Sequence, residues 1–310
     1  MTPEAGSVEG AMTDRLCLLQ VHAHPDDEAS KGAGTNARYA AEGVHTVLVT
    51  CTDGAEGDIL NPAADTPEVR ADLRAVRLAE LAESVRILGY TSTHMLGYRD
   101  SGMAGTEANT HPESFAAAPL EEAVEKLVRI VRAERPQVII TYGDDHRGYP
   151  HPDHIRTHDI SVAAFEAAGD PERFPADGPP FQPLKLYYTG WTRVRLQALH
   201  DAFVARGDES PYADWLSKWD PETPDRPMTT RIDVGDFLDR RRAALLAHRT
   251  QVDPGGFWMR LPEEVVREVF PWEEYLLARS LVDAAATDGT YEDDLFSGLR
   301  TGASARQAAG

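Results

Sequence analysis

Cysteine is nearly missing from this chain, with two residues in 310, Cys17 and Cys51. That count excludes a disulfide scaffold and any paired-cysteine metal spacing. Each cysteine lies in an apolar run and reads as a buried free thiol. Basic side chains are also few. There are 31 Lys and Arg against 51 Asp and Glu, a formal net charge of −20. Such a field opposes nucleic-acid phosphate and anionic membrane, so neither is expected as a partner. It leaves room for a locally positive pocket. No stretch approaches the 18 apolar residues of a membrane helix. The opening MTPEAGSVEGAMTD lacks the basic region and apolar run of a signal peptide, and a cytoplasmic location is the expectation. Other enzyme signatures are absent too. GAGT at 32–35 has glycines near a strand but no GxGxxG, and there is neither a GxSxG elbow nor a P-loop.

What is present reads as strands alternating with helices. LCLLQV at 16–21, VHTVLVT at 44–50 and VIITY at 138–142 are short continuous apolar runs, the pattern of strands buried on both faces. KGAGTNARYAAE at 31–42 reads as a helix ending at Gly43. Val69 to Leu88 and Leu120 to Val131 carry apolar residues at helical spacing. The expected fold class is therefore α/β, a Rossmann-like, mostly parallel sheet flanked by helices. Residues 1–13 read as a flexible tail, 14–180 as the Rossmann-like metal-binding core, 181–285 as a C-terminal elaboration packed on that core and walling the site, and 286–310 as a second flexible tail.

Two polar clusters carry the chemistry. His22, His24, Asp26, Asp27 and Glu28 follow the first strand, and Tyr149, His151, Asp153, His154 and His158 follow VIITY. Parallel sheets bind ligands beyond the carboxyl ends of their strands, so both clusters map to one edge of the fold. Two imidazoles, one carboxylate and a water satisfy a catalytic zinc site. Nitrogen ligands favour zinc or iron, while composition alone leaves manganese open. Asp26, Asp27 and Asp153 also suit helix capping, and a lone histidine in a loop is ordinarily a capping or surface group. Neither cluster has the HExxH pattern.

HAHPDDE with a distant HPDH, each after a strand, resembles the LmbE-like or PIG-L-like zinc deacetylases over about residues 14–285. HAHPDDEASKGAGTNARYAAEG, GDILNPA, GYPHPDHIRTHDISVAAFEAAGD and LKLYYTGW are similar to the actinobacterial branch that acts on mycothiol S-conjugates. The resemblance implies a metal-dependent amidohydrolase acting on a linear amide. It would release glucosaminyl-inositol and an N-acetylcysteine S-conjugate, a detoxification step. Its alternative is deacetylation of N-acetylglucosaminyl-inositol or another amino sugar. The implied partner is a small pseudodisaccharide thiol conjugate, with no obligate protein partner. The implied cofactor is one Zn2+ per chain, with Fe2+ as the alternative, held by His24, Asp27 and His154. By the same resemblance Asp26 is the general base and His151 stabilises the oxyanion and can act as acid. Asp153 supports that histidine, and Tyr149 is a mobile tyrosine over the reaction centre. Lys31, Asp58, Arg77 and Asp100 are implied substrate contacts. Asp58 stands where relatives commonly carry glutamate, and its reach is shorter by about one methylene. Without the resemblance, Arg77 would read as one of three solvated arginines on a helix.

Overall fold

The computed structural model describes residues 15–145, 149–219, 225–283 and 291–300. Seven strands, β1 (Cys17–His22), β2 (His45–Thr52), β3 (Ser92–Tyr98), β4 (Val138–Tyr142), β5 (Lys185–Thr189), β6 (Thr230–Asp233) and β7 (Trp272–Ser280), form one sheet in the order β3-β2-β1-β4-β5-β7-β6. The first five are parallel, and β7 runs antiparallel to both β5 and β6. Every residue of β1, β2 and β4 is buried, as their unbroken apolar runs require of strands covered on both sides.

Among the described residues the helices are α1 (Asp27–Ser30), α2 (Ala33–Ala41), α3 (Pro67–Ala71), α4 (Leu73–Leu88), α5 (Leu120–Glu134), α6 (Pro152–Ala167), α7 (Arg193–Ala205), α8 (Ala213–Ser217), α9 (Leu238–Ala247), α10 (Phe257–Arg260) and α11 (Glu263–Val269). Side chains alternate across each strand. Leu19, Val21 and Ile139 therefore meet α5 and α6 on one face, while Leu18, Val138 and Ile140 pack with Tyr39 of α2 on the other. The helices α7, α8 and α11 share a smaller core around Leu196, Phe203 and Tyr212.

Three sequence expectations need correction. The helix expected over 69–88 is broken at Asp72, whose carboxylate accepts from the Ala75 N–H at 3.0 Å and caps α4. The elaboration expected at 181–285 contributes β5, β6 and β7 to the core's own sheet, so that sheet crosses the expected boundary. The tail expected from 286 is packed in its described part, 291–300. Leu295 and Phe296 are fully buried, and Phe296 meets the Tyr39 ring edge-on at 5.3 Å. Glu292 enters the same interior. It accepts from Lys185 Nζ at 2.5 Å, Tyr187 Oη at 2.5 Å and Thr230 Oγ1 at 3.0 Å. The expected tail at 1–13 lies outside the described residues.

The order of the sheet matters for function. Strand order reverses between β1 and β4, and a crevice opens at such a reversal beyond the carboxyl ends of the strands. HAHPDDE follows β1 and HPDH follows β4.

Candidate active site

The HAHPDDE segment leaves β1 through a tight turn. Asp26 has φ 121° and ψ −24°, in a region that a non-glycine residue adopts only when its surroundings impose it. Its carbonyl accepts from Ala29 and Ser30 N–H and opens α1. Asp27, one residue on, turns inward and is buried. On the other side His151 caps α6, its Nδ1 accepting from the Asp153 N–H at 3.2 Å, with Pro152 at the first helical position. That first turn carries Asp153 and His154 inward, so HPDH is a helix start rather than a loop.

His24, Asp27 and His154 converge. Asp27 Oδ2 lies 3.3 Å from His24 Nδ1 and 3.5 Å from His154 Nε2. Zinc bonds of 2.0–2.2 Å in a tetrahedron imply ligand separations of about 3.4 Å, so this donor set fits one ion. Its surroundings fit as well. His24 turns its Nε2 to Asp153 Oδ2 at 3.2 Å and lies 3.6 Å from Asp100 Oδ1, leaving Nδ1 beside Asp27 Oδ2, where a metal could bind. Burial lowers His24, but Asp100, Asp153 and Asp27 outweigh it and hold the imidazole well above its usual value, so a metal binding there displaces a proton from His24. Burial brings His154 down to about 3, the neutral form a metal ligand needs. Burial would raise Asp27, but Lys31 and the two histidines keep it well below the usual carboxylate range. Asp153 Oδ1 is buried and meets no hydrogen-bond partner among the described residues.

Asp26 flanks this centre with its side chain 30% exposed, paired to Arg77 at 3.0 Å. Burial raises its carboxyl, opposed chiefly by Arg77, which moves it toward the range of a useful base. His151 lies edge-on to His24 at 4.6 Å, and burial lowers it. Tyr149 is 57% exposed, and its ring stands 5.2 Å from that of His154.

The structure gives the other expected site residues definite contacts. Arg77 is buried, and its guanidinium donates to Gly54 O at 2.5 Å, Pro25 O and Asp26 Oδ2. Asp100 is likewise buried, accepting from Glu56 and Gly102 N–H beside His24. The Asp153 carboxylate faces His24 Nε2 and accepts from the Ser101 N–H, whereas Asp153 meets the His151 ring through its backbone N–H, with one donor atom each of His24, His151 and Asp153 within 4.8 Å of one another. Lys31 donates to Asp27 Oδ1 at 2.5 Å, within the trio that could hold a metal. Asp58 is exposed, and its carbonyl accepts from Gln251 at 3.1 Å.

Tyr142 and His248 escaped sequence reasoning. Tyr142, the last residue of β4, donates to Asp27 Oδ2 at 2.6 Å and stacks on His154 at 4.3 Å. The place of a tyrosine at the carboxyl end of a strand beside the reversal was its available signal. Glu28, fully buried, accepts from the Asp26 N–H at 2.9 Å, Ser84 Oγ at 2.5 Å and His248 Nε2 at 2.6 Å. His22 is buried against Gln20, and burial lowers it to about 4. Cys51 is buried and pushed up to about 12, unsuited to act as a nucleophile.

The model of the family described as PIG-L, GlcNAc-PI de-N-acetylase, matches residues 19–165. A mycothiol S-conjugate amidase of Streptomyces coelicolor is 48% identical over 299 residues, 94% of this chain and 100% of that protein. This chain belongs to the PIG-L-like, LmbE-like deacetylase family. As a member it is an enzyme, a hydrolase of carbon–nitrogen amide bonds. Within the family it is also 40% identical, over 93% of its length and 99% of the relative's, to a 1D-myo-inositol 2-acetamido-2-deoxy-alpha-D-glucopyranoside deacetylase of Geodermatophilus obscurus. The family fold is seen in N,N'-diacetylchitobiose deacetylase from Pyrococcus horikoshii, at TM-score 0.61 and 19% identity over 91% of both chains. No helix among the described residues is long and apolar enough to cross a membrane.

Proposed function

We propose that this chain is a zinc-dependent amidase that hydrolyses the amide of mycothiol S-conjugates, in the cytoplasm. The observation that carries the proposal is the 48% identity to the Streptomyces coelicolor amidase along that protein's full length. His24, Asp27 and His154 would hold one zinc, which when bound polarises the scissile carbonyl and acidifies the attacking water. Iron is the alternative on ligand chemistry.

The remaining work falls to the chain's own groups. Asp26 takes a proton from the water as its oxygen bonds to the carbonyl carbon. His151, with Tyr149 on the open side, donates to the oxyanion that develops on the carbonyl. The C–N bond then breaks. The departing nitrogen must take a proton, from His151 or from the protonated Asp26, because an amide anion leaves poorly. The products are an N-acetylcysteine S-conjugate carboxylate and glucosaminyl-inositol amine. Asp153 and Asp100 orient His24, and Tyr142 fixes Asp27. Lys31 and Asp58 remain proposed substrate contacts. Lys31 is 24% exposed at the rim of the centre and serves a polar acyl portion if it releases Asp27 when the metal binds.

Deacetylation of N-acetylglucosaminyl-inositol is the second reading, favoured by the 40% identical deacetylase. Paired kinetics separate the two. We expect kcat/KM for a mycothiol S-conjugate to exceed that for the acetylated sugar by at least about tenfold, a difference of ~1.4 kcal/mol in transition-state binding. A preference of that size for the acetylated sugar would overturn the amidase assignment.

A further inference from the structure

The strained conformation of Asp26 is not maintained by its own loop alone. Such a backbone costs about 1–3 kcal/mol and persists only where surrounding groups over-determine it. The Pro25–Asp26 peptide is gripped from both sides, its carbonyl by Arg77 and its N–H by Glu28 Oε2. Glu28 has two further bonds, both on Oε1, from Ser84 of α4 and from His248 just beyond α9. Glu28, Ser84 and His248 are all fully buried. His248 Nδ1 has no hydrogen-bond partner among the described residues, so the bond to Glu28 is the ring's one directional contact there.

The chain around His248 is similarly committed to the site's loops. Thr250 donates its N–H and hydroxyl to Glu80 of α4 at 3.0 and 2.7 Å. Its carbonyl accepts from the Leu60 N–H at 2.8 Å. Asn61 donates to Arg249 O at 2.9 Å, and Gln251 donates to Asp58 O at 3.1 Å. Residues 248–251 thus tie three elements that are distant in sequence: the Asp26 turn, α4, and the 58–61 loop.

We propose that His248 is a positioning residue for hydrolysis, acting through Glu28 on the Pro25–Asp26 peptide to aim the Asp26 carboxylate. The assignment rests on Asp26 being the general base. A carboxylate one position from a metal ligand must face the water while its neighbour faces the ion, and the turn at φ 121° sends the two apart. Without the His248 donor, Oε1 of Glu28 is left to Ser84, the carboxylate is free to turn, and the Asp26 N–H loses its aligned acceptor. The base is then misaimed while His24, Asp27 and His154 keep their own supports.

The test uses the full chain with measured zinc content, a mycothiol S-conjugate or acetylated glucosaminyl-inositol, whichever it turns over, and Asp26→Asn as a parallel control. His248→Ala should lower kcat roughly tenfold to hundredfold, as expected for a small misplacement of a reacting group. KM should shift by less than about twofold, and zinc content should stay unchanged. His248→Gln, whose amide N–H can still donate to Glu28, should recover most of the loss. Unchanged kcat in His248→Ala, or a loss that only follows zinc content or folded fraction, overturns the proposal. If His248→Ala does not fold, the isosteric Glu28→Gln carries the same expectation, and unchanged kcat there overturns it equally. Full turnover by Asp26→Asn would instead overturn the general-base assignment, which keeps the two failures distinct.

Discussion

Asp26→Ala should retain its metal and lose turnover by roughly 10²–10⁴-fold, the contribution of a positioned general base. Asp26 is next to the proposed metal ligand Asp27 in sequence, yet its carboxylate bonds to Arg77 and not to His24 or His154. Its removal therefore takes away the proton acceptor without opening the ligand set. Alanine also inherits φ 121°, which it tolerates worse than aspartate does. Asp26→Asn controls for this, because asparagine accepts such backbone more readily and can still accept from Arg77. Both variants should show the same large loss of kcat with metal content near that of the wild type. Metal and activity falling in proportion would place Asp26 among the structural supports of the ion.

The second large effect is on stability. Lys185 is fully buried, and its ammonium is neutralised by Glu292 at 2.5 Å. Removing one partner of such a pair leaves an uncompensated charge in the interior, at a cost of about 3–5 kcal/mol. Glu292→Ala also takes an acceptor from Tyr187 and Thr230. Equilibrium urea unfolding should show a loss of that size. The double variant Lys185→Met/Glu292→Leu, which removes both charges and fills the space, should be distinctly more stable than Glu292→Ala. Wild-type stability in Glu292→Ala, or a double variant no better than the single one, would show that the pair is not the buried charge couple described.

The same pair marks the limit of what the sequence makes legible. β1, β2 and β4 are readable because strands covered on both faces must be continuously apolar, and Leu18 and Val138 have no other use. β7 escapes that logic. Glu273 and Glu274 stand inside it, and only tertiary partners justify them. Glu273 accepts from the Gly34 and Thr35 N–H groups at the start of α2, and Glu274 takes Thr192 and Arg231. The segment at 291–300 reads as tail because small and polar residues surround two buried apolar ones, Leu295 and Phe296.

The candidate site divides in the same way. His24, Asp27 and His154 are legible as a trio that could hold a metal because their residue types and their places after two strands bring such donors together. Arg77 is not. Its position on a helix says nothing about which carbonyls its guanidinium reaches, and the structure commits it to Gly54 and Pro25. Tyr142 and His248 act through neighbours brought in by folding, across 115 residues to Asp27 and 220 to Glu28. Local periodicity contains no trace of either link.

Everything proposed for the chemistry requires one ion between the two loops. Anomalous diffraction above and below the zinc edge, from crystals of the active protein as purified, measures this directly. We expect a strong peak within bonding distance of His24, Asp27 and His154. A catalytically active crystal form whose zinc lies elsewhere, or that holds no metal at these three side chains, would contradict the account.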